Sequence, residues 1–203
     1  MRPMKVLVGC EFSGVVRSAF RAAGHNAWSC DLLPAKDGGP HICGDVRDVI
    51  EWDWDLAIFH PPYRHTAVSG ARWFRNKEEQ QREAVEFASH LMRAGNIPMR
   101  CLVSPVSVLS TRIGRPQQII QPWTVGSLDH KHVCLWLVNL PQLQPVSLTG
   151  LDFDAMSRKE SSGDRSQDAY ESLAAAMAAQ WTGHYAAETQ RYGLFFTNER
   201  GFQ

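Results

Sequence analysis

No apolar run in the 203-residue chain approaches the roughly 18 residues needed to span a membrane. The first ten residues lack a long apolar core with a small-residue cleavage site, so secretion is not expected. Cys-x-x-Cys pairs are absent too. The five cysteines, Cys10, Cys30, Cys43, Cys101 and Cys134, are odd in number and lie in or beside apolar runs. That pattern predicts reduced, buried thiols of a cytoplasmic protein and argues against a disulfide framework or any metal site. A Gly-x-Gly-x-x-Gly fingerprint is missing, which disfavours a dinucleotide with its pyrophosphate. Net charge is zero, so no overall field draws the protein to a polyanion.

What is present describes an ordinary globular chain. It is 44% hydrophobic and 21% charged, enough to bury a core, and its length suits one domain or one domain plus a small appendage. The charge is unevenly spread. Residues 29–55 carry seven acids against two bases, whereas residues 60–120 carry nine bases against four acids. An acidic first part beside a basic middle suits a neutral cofactor rim next to a phosphate-facing surface. Scattered charge on solvated faces would look the same in composition.

Short Val/Leu-rich runs bounded by turn residues predict parallel strands at residues 5–10, 27–30, 41–43, 55–59 and 100–103. Helical spacing predicts helices over about 14–23, 78–94 and 167–181. Residues 118–123 and 132–138 look like strands of a small β-rich C-terminal extension, and 150–167 looks like a polar loop. One domain over 1–181 with a tail at 182–203 is the expected organisation. Strand–helix alternation over the first 103 residues implies an α/β, three-layer, parallel sheet whose ligands sit beyond the C-terminal strand ends.

The candidate residues fall at those ends. Glu11-Phe12-Ser13-Gly14 forms the first strand-to-helix turn, where one glycine lets the backbone approach a ligand and free N–H groups suit a carboxylate. An ordinary βα turn would read the same way. Asp31, ending the second strand, is placed to accept from two ribose hydroxyls, and Asp45, after the third, from an adenine amine. Either acid alone reads equally as a cap or turn former. His60-Pro61-Pro62-Tyr63 stops the fourth strand; two prolines hold the flanking side chains, Tyr63 for stacking on an extruded base and His60 for accepting from an exocyclic amine. Arg64, Arg72 and Arg75, interleaved with Trp73 and Phe74, suit phosphate contact and stacking, and Arg112 and Lys131 extend that surface.

These strings carry a resemblance. Val-Leu-Val-Gly-Cys-Glu-Phe-Ser-Gly, Trp-Ser-Cys-Asp, Gly-Asp-Val and Ile-Phe-His-Pro-Pro are similar to small phage-encoded proteins related to DNA cytosine-5 methyltransferases. Ser110-Thr111-Arg112, Gln121-Pro122-Trp123 and the closing residues 175–181 continue it, so the resemblance covers roughly residues 4–181. It implies a Rossmann-like methyltransferase sheet, S-adenosylmethionine as cofactor, double-stranded DNA as substrate and a bacterial host's cytoplasm as location. Phe12, Ser13 and Gly14 would then line the methionine end, with Glu11, His60 and Pro61 nearby, Asp31 the ribose and Asp45 the adenine.

Two departures bear on the chemistry. The family's nucleophilic Cys after Pro-Pro is Tyr63 here, and its Glu-Asn-Pro segment is Val103-Ser104-Pro105. A phenol near pKa 10 does not replace a thiol near 8.5 in attack on a pyrimidine ring, so cytosine-5 methylation is not expected. Pro61-Pro62-Tyr63 instead resembles exocyclic-amine methyltransferases, with His60 in place of their usual Asp, Asn or Ser. The alternative is a catalytically silent homologue that binds cofactor, DNA or a protein partner in a regulatory or anti-restriction role. A related alkyl transferase is a third reading.

Overall fold

The central strands form around the short uncharged runs 6–9, 56–59 and 101–103, because such runs tolerate burial on both faces of a sheet. The computed structural model describes residues 2–67, 78–126, 131–146 and 165–196. Its strands are β1 (Lys5–Gly9), β2 (Asn26–Asp31), β3 (His41–Cys43), β4 (Leu56–Phe59), β5 (Met99–Pro105), β6 (Gln118–Ile120) and β7 (Val133–Val138). The helices are α1 (Val15–Ala22), α2 (Val46–Val49), α3 (Glu78–Met92), α4 (Leu109–Arg112) and α5 (Arg165–Phe196).

All seven strands join one sheet in the order β3-β2-β1-β4-β5-β7-β6. β1 to β5 run parallel, and β7 lies antiparallel to both β5 and β6. This is the Rossmann-like, mostly parallel α/β sheet that the sequence leads one to expect. Strand order reverses between β1 and β4, the switch point outside which open α/β sheets bind ligands.

Alternation along the strands separates two cores. Val6, Val8, Leu56 and Ile58 face Val16 and Phe20 of α1 and Leu173, Met177 and Trp181 of α5. Leu7, Ala57 and Phe59 face Val46 and Val49 of α2 and Leu91 of α3. The expected three layers result. Trp181 is fully buried, and its indole N–H donates to the Pro141 carbonyl at 3.1 Å. His25, closing α1, accepts from the Met4 amide at 3.1 Å and pairs with the Thr182 hydroxyl at 2.7 Å. These bonds fix α5 across the α1 face.

Some expectations change. The strands at 118–123 and 132–138 do not stand apart as an extension but complete the sheet's far edge. Their apolar side chains Ile120, Leu135 and Leu137 are needed by the α1/α5 core. The first of them stops at Ile120 because Pro122 opens a 3₁₀ turn, Pro122–Val125. The last helix does not end near Trp181; no proline follows, and two isolated glycines, Gly183 and Gly193, each cost a helix only about 1 kcal/mol. Cys43 is exposed rather than buried, since β3 is an edge strand; all five thiols are free. The loop expected at 150–167 lies outside the described residues up to 164. Among the described residues no helix is long and apolar enough to cross a membrane.

Candidate functional site

Beyond Gly9 the backbone takes φ 60° at Cys10, a left-handed conformation uncommon outside glycine. The turn swings Glu11 back under α1. Its buried carboxylate accepts from the Val16 amide at 2.7 Å, the Arg17 amide at 3.3 Å and the Ser13 hydroxyl at 3.1 Å. Glu11 thus serves the orphan donors of α1's first turn. Burial raises its pKa, and those three hydrogen bonds only partly oppose the rise. Gly14 precedes α1 at φ 81°, and a Cβ there would lie 2.5 Å from Asp37 Oδ2. Asp37 reaches this point because residues 32–40 fold back over the turn. Its carboxylate pairs with the buried Arg17 guanidinium, the Lys36 amide donates to the Phe12 carbonyl at 2.9 Å, and the Lys36 ammonium sits 5.0 Å from the Phe12 ring. Burial opposes ionisation of Asp37, but the Arg17 and Gly39 N–H groups outweigh it and hold its pKa low.

The cleft lies beside this turn. It has a volume of about 860 Å³ at the C-terminal ends of β1, β2 and β3, closed on the far side by α3. Asp31 and Asp45 both line it, with Cys10, Cys30 and Leu32 on the strand side and Glu83, Glu86 and Phe87 on the helix side. Asp31 Oδ1 accepts from the Leu33 amide at 2.9 Å, and Oδ2 has no partner among the described residues. Asp45 caps α2 by accepting from the Arg47 amide at 2.9 Å, and the Arg47 guanidinium pairs with both its oxygens, at 3.0 and 2.5 Å. That pairing lowers the Asp45 pKa. The two thiols at the base are hard to ionise: burial pushes Cys10 up to about 12 and Cys30 up to about 11, with Asp31 adding to both.

Four predicted residues therefore sit elsewhere than the cleft wall: Glu11, Phe12, Ser13 and Gly14 form the neighbouring turn, held by α1 and the 32–40 loop. His60 also faces away from the cleft. Its amide donates to the Gly9 carbonyl at 2.9 Å, while its ring meets Tyr170 of α5 edge-on at 6.0 Å. Nε2 is buried with no hydrogen-bond partner among the described residues, and burial pushes the His60 pKa down to about 4. His60 is thus a neutral imidazole at pH 7. Pro61 is buried, Pro62 reaches the cleft, and Tyr63 is 55% exposed. The Tyr63 carbonyl accepts from the Thr66 and Ala67 amides at 3.1 and 2.9 Å, so the loop after β4 is a fixed turn. Val103, where the family that the sequence resembles carries an acid, is buried against the α1/α5 core.

Arg64, Arg112 and Lys131 are exposed. The loop bearing Arg64 is stitched to the one before α4 by the Val108 amide donating to the Thr66 carbonyl at 2.9 Å and by an Ala67–Ser107 bridge. Lys131 precedes β7, whose first residue pairs with the last of β5. Arg64, after β4, and Lys131, before β7, therefore stand at the sheet edge that carries the cleft, on its β4–β5–β7 half, and Arg112 ends α4, the helix after β5. Arg72 and Arg75 lie outside the described residues.

Sequence reasoning missed Arg47, Leu32 and the cleft-facing side of α3. Ala84 and Phe87 look like core residues by helical spacing, yet both line the cleft and only Ala88 and Leu91 are fully buried. Glu83 and Glu86, flanking them, were the available signal.

No family model matches this chain. None of the curated proteins matches it either. Among solved structures it is similar to the 16S rRNA methylase RmtB, at 16% identity and a TM-score of 0.38 over 68% of this chain and 56% of that one. It is also similar to the bifunctional kinase-methyltransferase WbdD, at 15% identity and a TM-score of 0.42 over 75% of this chain and 41% of that one. In the WbdD complex with a kinase inhibitor, the chain spans 26% of its length. The fold assignment rests on the strand order itself.

Proposed function

We propose that this is an S-adenosylmethionine-dependent, DNA methyltransferase-like protein that modifies an exocyclic amine of an extruded base. The observation that carries the proposal is the meeting of Asp31 and Asp45, from adjacent strand ends, in one cleft beside the switch point. Its volume of about 860 Å³ lies within the roughly 300–1,000 Å³ of small-molecule sites. Asp31, Asp45, Glu83 and Glu86 outnumber the single guanidinium of Arg47, which favours a cationic ligand over a pyrophosphate. Asp31 would accept from the ribose hydroxyls and Asp45 from the adenine amine. When bound, the cofactor supplies an activated methyl group on a sulfonium.

The chain's own contribution to transfer is orientation and hydrogen bonding. His60, at the end of β4 and held neutral by burial, is an acceptor for a hydrogen bond from the reacting amine once its ring turns from Tyr170; with a pKa of about 4 it orients the amine rather than taking up its proton. Half-exposed Tyr63 offers a ring for stacking, and Arg64, Arg112 and Lys131 suit phosphates. No covalent nucleophile is required. The resemblance to phage cytosine-5 enzymes supports ancestry of the cofactor side, not their reaction.

Incubation with cofactor labelled in its methyl group and with duplex DNA tests this directly. Label is expected in adenine or cytosine amino groups and absent after His60→Phe; no label in any base overturns the enzymatic reading. The inward-facing His60 and buried Val103 favour, as the second reading, a homologue that binds cofactor without turnover.

A further inference from the structure

Arg47 occupies the place that a purine would need. Its guanidinium satisfies both oxygens of Asp45, and its central carbon lies 5.7 Å from the centroid of the Phe87 ring, the aromatic face of the cleft wall. A guanidinium is planar, donates N–H groups to a carboxylate in its own plane and stacks on aromatic rings. An adenine offers the same three properties: it is planar, its amine donates to a carboxylate in its own plane, and its face stacks on an aromatic ring. The Arg47 side chain is 59% exposed, so its hold on Asp45 is one that water and salt weaken. It can leave.

We infer that Arg47 is a built-in competitor for the purine subsite, setting both the affinity and the selectivity of the cleft. A ligand enters only by replacing the guanidinium at both contacts, with an amine on Asp45 and a ring on Phe87. Ligands bringing one without the other, such as a purine that lacks the exocyclic amine, leave Asp45 without a donor when they displace Arg47. Arg47 in turn swings toward solvent, where nothing among the described contacts holds it. This inference rests on the proposed nucleoside reading of the cleft.

Calorimetric titration of the full chain with S-adenosylmethionine separates the two. Arg47→Ala is expected to lower Kd three- to tenfold, with Arg47→Lys, which keeps the charge but not the plane, falling between it and the wild type. Arg47→Ala leaves the backbone cap from Asp45 intact, and unchanged thermal melting checks that it folds. Asp31→Asn is expected to weaken binding at least tenfold. If Asp31→Asn weakens binding while Arg47→Ala leaves Kd within twofold or raises it, the competitor role is overturned and the cleft reading stands. Absence of binding heat from wild type and variants alike overturns both.

Discussion

His60 joins stability and chemistry in one side chain. Its pKa in the fold is about 4 against 6.5 for an ordinary histidine, because burial penalises the charged ring. As pH falls, the unfolded chain takes up this proton before the folded one does. Stability is therefore full above about pH 6.5 and declines as pH falls toward 4, by up to about 3 kcal/mol from this group. His25, also lowered by burial, acts in the same direction. Urea denaturation at pH 7.5 and 4.5 should show a drop for wild type that is smaller by about 2–3 kcal/mol in His60→Phe. An equal drop in the two would contradict the buried neutral imidazole. His60→Phe removes an unpaired buried nitrogen, so it should be no less stable than wild type at pH 7.5. Glu11 behaves oppositely to a surface carboxylate. Glu11→Ala strips two helix amides of their acceptor and should cost about 1–3 kcal/mol, read as a shift in denaturation midpoint.

At the scale of elements, one part-buried ion pair joins the Lys36–Phe12 contacts in holding the loop over residues 32–40. Arg17 is buried on α1, donating to the Ser29 hydroxyl at 2.8 Å and to Asp37. Asp37→Ala leaves that guanidinium with neutral partners only and should cost about 1–3 kcal/mol, a figure reduced because Asp37 is 39% exposed. Adding Arg17→Met should recover part of the loss, since an apolar side chain of similar length needs no counter-charge. A double variant weaker than Asp37→Ala alone would show that Arg17 contributes by more than charge. The elements themselves were largely legible. Lys5–Gly9, His41–Cys43 and Glu78–Met92 match uncharged runs or helical spacing to within a few residues. The four-residue helices α2 and α4 were not, because one turn is too short to show a period. Nor was the path of α5 beyond Trp181, where tertiary packing of its first half, not a visible stop signal, sets the helix going.

Across the whole molecule, the strand-end acids stand apart from the loop bases. Asp31 and Asp45 stand at β2 and β3 on one half of the C-terminal edge, while Arg64 follows β4 and Lys131 precedes β7 on the other, with Arg112 at the end of α4 after β5. If DNA lies on the second half, Arg64→Ala with Arg112→Ala should weaken binding to all duplexes alike and reduce the salt slope of log K by about 2. Sequence dependence of the loss would argue for base contact instead. The strand-end acids could be placed from the sequence because alternation puts successive strand ends at one edge. What could not be read was which way each side chain turns there. The positive φ at Cys10 sends Glu11 under α1, and strand parity sends His60 toward α5, and neither depends on residue type alone.

The most direct test is a crystal structure of the protein with S-adenosylhomocysteine. The ribose should lie on Asp31, with adenine between Asp45 and Phe87 and Arg47 displaced toward solvent. Ligand density elsewhere on the sheet edge, with Asp45 still paired to Arg47, would contradict the assignment of this cleft.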